Sequence, residues 1–176
     1  MQLFGPKTFV GLDIGSNCIK VVEVTKKKKK FVLEKIGLIQ TPENTFANGE
    51  IINNEELVEV VHKLFEKNRV SKKNVVVSIF GAQVVAKKII IPKMDTKLLP
   101  EQLKWEAEQY IPYEIDEVNI DYNILKVCHD PESMAIFIVA ALREGIAKYI
   151  ELSTECKFAL EGIDVASVSL LSLIHI

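Results

Sequence analysis

The sequence predicts a mixed α/β fold, with a compact strand–helix–strand–strand unit set inside a second framework. Three observations predict it. Apolar residues alternate with polar ones through much of the first 40 residues, the period of a half-buried strand. Leu57, Val58, Val61, Leu64 and Phe65 then recur along one face of a helix. Short branched-apolar runs follow, each closed by a residue that breaks regular structure.

In chain order, residues 9–14 form an apolar run ending in Asp-x-Gly-Ser, residues 19–25 alternate, and residues 31–40 alternate again. These make a β-meander. The five lysines at 26–30 sit at or near a hairpin tip, where a solvated turn is the plain reading and a weak electrostatic touch on anionic lipid is the functional one. Residues 41–54 are rich in Pro, Asn, Glu and Gly and read as a connection. Asn53 and Glu56 have capping-box spacing, so a helix starts there. Strands are expected at 74–80, closed by Gly81, and at 84–91, closed by Pro92. A second helix spans 96–110, with Pro100 in its first turns, where a missing N–H costs least. Residues 117–127, marked by Ile120, Tyr122, Ile124 and Val127, and residues 133–142 read as strands. A third helix covers 145–156 and a further strand 158–163, after which Asp164 resembles an N-cap. The apolar tail 170–176 has no polar cap, so the chain is expected to stop before its fold is complete.

The 176 residues are 48% hydrophobic and 26% charged with net charge −2, a globular composition without the basic excess of a general nucleic-acid binder. Cys18, Cys128 and Cys156 are odd in number and far apart, as are His62, His129 and His175. That spacing suits thiols in a reducing compartment and gives neither a disulfide framework nor a zinc site. The N-terminus lacks a signal peptide's charged and apolar regions, and no apolar run is long enough to span a membrane. A cytoplasmic protein is expected.

The chemistry concentrates at residues 11–20. A buried strand delivers Asp13 to a tight turn, and Gly15 permits close backbone approach. The N–H groups of Gly15, Ser16 and Asn17 are expected to point into one concavity suited to phosphate oxygens. Asp13 suits a hydrated Mg²⁺, and Lys20 returns on the next strand as a cation. A plain hairpin turn is the competing reading. No Ser–His–Asp, Cys–His or paired-carboxylate arrangement can be built, and Asp164 reads as a cap rather than a base.

The stretch from Trp105 to Tyr122 reads WEAEQYIPYEIDEVNIDY. Its helix has Leu103, Ala107 and Tyr110 on the core side, with Trp105 between faces, and Pro112 ends it. Trp105 is read either as packing at the core's edge or as part of a partner groove. The carboxylates Glu114, Asp116, Glu117 and Asp121 suit solvated loop charge or attraction of a basic peptide.

The hairpin at 11–20 resembles the first phosphate loop of the superfamily of actin, heat-shock chaperones and sugar kinases. The 105–122 segment resembles the W-E-A-E-Q-Y-I-P stretch of the PilM family of type IV pilus assembly proteins, and residues 10–24 and 76–92 resemble it too. The cell-division protein FtsA shares the architecture and resembles the sequence less.

The resemblance implies an actin-like (ribonuclease H-like) α/β fold. Subdomain 1A would hold residues 1–40 and 156–176, the inserted strand–helix–strand–strand subdomain 1C residues 41–155, and subdomains 2A and 2B would lie beyond. It implies ATP with Mg²⁺, Gly15, Ser16, Asn17 and Lys20 at the phosphates, and Asp13 at the metal through water. It implies a cytoplasmic scaffold, peripheral to the inner membrane, that holds the N-terminal cytoplasmic peptide of PilN in a groove between 1A and 1C. Candidates for that groove are Trp105, Tyr110, Pro112 and Tyr113. PilO, the motor ATPases and self-association would follow indirectly, with at most weak ATPase activity. A small-molecule kinase and an FtsA-like filament former are the alternatives.

Overall fold

Strands β1 (Lys7–Ile14), β2 (Cys18–Lys27) and β3 (Lys30–Gln40) form the expected antiparallel meander. The structure is a computed structural model that describes residues 7–28, 30–125 and 130–169. Val127, Cys128, His129, the tail at 170–176 and its His175 lie outside those residues.

Burial alternates strictly along β1 and β2: Val10, Leu12 and Ile14 face inward with Ile19 and Val21. Strand β3 breaks the alternation. Val24 opposes Leu33 while Glu23 opposes Lys35, so Glu34 is a bulged extra residue. One inserted residue shifts the phase of everything after it. Phe31, Leu33, Ile36 and Leu38 therefore share one face, while Gly37 turns to the other.

The covered face of this sheet meets helix α1 (Asn54–Lys67). Asn53 caps it, its side chain accepting the Glu56 N–H, and Leu57, Val61, Leu64 and Phe65 are buried. Gly37 admits the end of α1: a Cβ there would collide with Asn68. Phe65 stacks on Phe158 with centroids 5.7 Å apart. Helix α3 (Arg143–Glu155) runs close by, with Asn54 Nδ2 donating to Glu155 Oε2 at 3.0 Å.

The segment 41–54 is more than a connection. Strands β4 (Phe46–Ala47) and β5 (Glu50–Ile51) form a small hairpin. Asn48 and Gly49 both take positive φ, 53° and 89°, as a two-residue hairpin turn requires.

Strand β6 (Val75–Ile79) corrects the expected domain boundary. It lies parallel to β1 inside a five-stranded sheet of order β10-β6-β1-β2-β3, with β10 at Leu160–Val165. Among the described residues one compact unit thus holds those within 7–82 and 146–169, and the other those within 83–145. Residues 41–82 and 146–155, assigned from sequence to the insertion, belong with the first unit. A strand's own pattern shows that it is buried but not which sheet receives it.

The second unit has strands β7 (Val84–Pro92), β8 (Val118–Ile124) and β9 (Ser133–Leu142) in the order β7-β9-β8, all antiparallel. Helix α2 (Leu99–Glu108) packs Leu99, Leu103 and Ala107 into a core with Ile89, Ile136 and Ile138. The helix is shorter than the 96–110 expected. Tyr110 corrects a second expectation: its residue is 38% exposed, outside the core, and Lys87 Nζ sits 3.7 Å from its ring centroid.

Candidate functional site

Two places bring the sequence-derived residues together, one in each unit. In the first unit the β1–β2 turn holds Gly15, Ser16 and Asn17. The Gly15 N–H donates to the Cys18 carbonyl at 3.2 Å, closing the turn. That corrects the expectation that it points outward. The Gly15 carbonyl accepts from the Thr41 hydroxyl at 2.6 Å, which pins the loop. Ser16 and Asn17 are exposed, and their N–H groups have no hydrogen-bond partner among the described residues. Two exposed donors at a tight turn can receive an anion's oxygens.

Asp13 stands just before this turn. Lys20 Nζ donates to its Oδ2 at 2.8 Å and the Ser78 hydroxyl to its Oδ1 at 2.7 Å. Burial alone would raise its pKa, but the bonds from Lys20 and Ser78 outweigh burial and hold the carboxyl below its ordinary range. The bond from Asp13 in turn raises the Lys20 pKa.

Strand register extends this pair into a row. Lys20 opposes Asp13, Asp13 opposes Ser78, and Ser78 opposes Asp164, across four adjacent strands. The row lies near the carboxyl ends of the parallel strands β1, β6 and β10, where open α/β sheets bind ligands. Asp164 is exposed, sits in β10, and accepts from the Val165 N–H and the Ser169 hydroxyl. Among the described residues no three His, Cys, Asp or Glu side chains cluster to grip a metal directly. Asp13 and Asp164 suit a cation that keeps its water shell. Nearby on α3, Tyr149 is buried with no hydrogen-bond partner for its hydroxyl among the described residues, and burial together with the Asp13 charge drives its pKa up.

In the second unit the end of α2 and the loop after it line an open cavity of about 760 Å³. The chain leaves the helix as the Tyr110 and Ile111 N–H groups both turn onto the Ala107 carbonyl. Pro112 then bars further helix. Trp105, Pro112 and Tyr113 line the cavity, and Trp105 is 69% exposed. Tyr110 does not line it. Four carboxylates, Glu108, Glu114, Asp116 and Glu117, share the lining with one cation, Lys104. A large apolar ring left bare beside an acidic rim is the composition of a binding surface.

The family profile of type IV pilus assembly protein PilM matches residues 11–174. The chain belongs to the PilM family. Among solved structures it is similar to a PilM–PilN type IV pilus biogenesis complex, at 27% identity and a TM-score of 0.79, covering 89% of this chain and 47% of that one. It also shares a fold with the cytoplasmic domain of EpsL, an inner-membrane component of the Vibrio cholerae type II secretion system. There the identity is 14% and the TM-score 0.55, with 90% of this chain and 57% of that one covered. The chain thus spans about half the length of the structures it matches. The fold is mixed α/β and actin-like, built on the five-stranded sheet. Among the described residues no helix is long and apolar enough to cross a membrane.

Proposed function

We propose that this chain is a binding scaffold of type IV pilus assembly whose second unit receives a peptide segment of a PilN-like membrane protein. The cavity beside the exposed Trp105 carries this reading: an aromatic platform with Pro112 and Tyr113, rimmed by carboxylates, suits an extended segment bearing apolar and basic side chains. Membership in the PilM family and similarity to a PilM–PilN complex support PilN as the source of that segment. The protein then works at the cytoplasmic face of the inner membrane, with PilO and the assembly motors reached through PilN.

The hairpin of the first unit is the proposed nucleotide contact. Ser16 and Asn17 N–H groups and Lys20 would hold phosphate oxygens, with Gly15 shaping the loop and Asp13 facing the water shell of Mg²⁺. ATP with Mg²⁺ would supply bound charge that sets the loop's conformation. The turn donors, the cation and the carboxylate fit that ligand in kind.

Calorimetry with a peptide from the cytoplasmic N-terminus of PilN tests the scaffold reading. Saturable binding lost in Trp105→Ala supports it. Absence of binding, together with phosphoryl transfer from ATP to a small molecule, would replace it with the kinase reading.

A further inference from the structure

Leu38 on β3 opposes Lys20, so the bare face of β3 is continuous with the Asp13–Lys20 pair, but its far end at Phe31 and Leu33 is not used by either site. On β3, Phe31 is 65% exposed, Leu33 59%, Ile36 67% and Leu38 65%. They share a face because of the bulge at Glu34; without it Ile36 and Leu38 would turn toward α1. The lysine run adjoins the same strand. Lys27 pairs with Lys30 across the hairpin, and Lys26 Nζ lies 5.8 Å from the Phe31 ring centroid. Glu34 pairs with Lys27 at 2.8 Å, a single carboxylate beside Lys26, Lys27, Lys28 and Lys30, so the tip keeps a positive excess. The turn is also built against local preference. Lys28 takes φ +56°, a place normally given to Gly or Asn. Charge is kept there at a conformational cost.

A flat face of bare aromatic and aliphatic side chains ending in a lysine cluster matches an anionic bilayer surface: cations meet headgroups while apolar tips enter the interface. A second copy pairing edge to edge fits less well. The bulge and the lysines at 30 and 35 are the devices that block strand addition at an edge. We propose that the β2–β3 hairpin docks directly on an anionic membrane surface, with Lys26, Lys27, Lys28 and Lys30 on the headgroups and Phe31 and Leu33 in the interface. This contact is independent of the partner cavity.

Co-sedimentation of the protein with vesicles tests it, using pure phosphatidylcholine against phosphatidylcholine mixed with phosphatidylglycerol, without any PilN peptide. Binding is expected only to the anionic vesicles and should weaken with salt. The variant K26Q/K27Q/K28Q/K30Q should bind at least about tenfold less. F31S/L33S should also bind less while keeping its circular dichroism spectrum, since both side chains are exposed. Equal binding by the lysine variant, or no sedimentation of folded protein with anionic vesicles at low salt, overturns the proposal. So does a dimer that F31S/L33S dissociates in a protein that ignores vesicles, because the face would then be a self-association surface.

Discussion

The hydroxyl of Ser78 on β6 donates to Asp13 on β1 across 2.7 Å, and strand register continues from Ser78 to Asp164 on β10. Three strands far apart in sequence thus place two carboxylates and a hydroxyl in one row near their carboxyl ends, with Lys20 bonded to the first carboxylate.

The first prediction concerns pH. Asp13 is held below the ordinary carboxylate value of 3.8, so its ionised form stabilises the fold above that value. The contribution is lost as pH falls through the lower folded value. Lys20→Met should move the Asp13 titration upward in carboxylate-detected NMR. Because both side chains are over 40% exposed, the stability lost at neutral pH should be only about 0.5 kcal/mol.

Glu23 presents the opposite case. It is 7% exposed, with Lys35 Nζ 3.0 Å away and the Ser71 N–H donating to it at 2.6 Å. Lys35→Met leaves a buried carboxylate short of its cation. Urea unfolding should show a loss of about 3 kcal/mol. A loss indistinguishable from zero would mean that water reaches the carboxylate.

The two sides of α2 should separate stability from binding. Leu103 is 1% exposed in the second unit's core, and Leu103→Ala should cost roughly 2–5 kcal/mol in denaturant unfolding. Trp105→Ala, two residues on, should cost at most about 0.5 kcal/mol, because its ring is largely bare.

The hairpin makes a nucleotide prediction. Lys20→Ala and Asp13→Asn should each weaken Mg-ATP binding in calorimetry by about tenfold or more if the loop holds the phosphates. Unchanged affinity in both would place any nucleotide elsewhere.

Much of this fold was legible in the chain. The meander follows from period-two alternation, and α1 from the Asn53 cap and its apolar face. The features that escaped depend on long-range pairing or on a single break in period. A lone serine in an apolar strand says nothing of Asp13 until β6 is known to lie beside β1. The β4–β5 hairpin had a local signal, the Asn48-Gly49 dipeptide, hidden within a polar stretch. Tyr110 continues the core face only if the helix persists, and α2 ends at Glu108. In β3 the apolar positions pass from Phe31 and Leu33 to Ile36 and Leu38, a break of phase at Glu34 whose meaning as a bulge is fixed only by pairing with β2.

The most direct test uses Trp105, the sequence's one tryptophan, as its own reporter. Its fluorescence should be followed while the cytoplasmic N-terminal peptide of a PilN-like partner is titrated in. A saturable blue shift, absent with a sequence-scrambled peptide, is the result expected of an exposed ring covered by a partner. A spectrum that stays unchanged while calorimetry records binding would contradict the cavity beside Trp105 as the docking site.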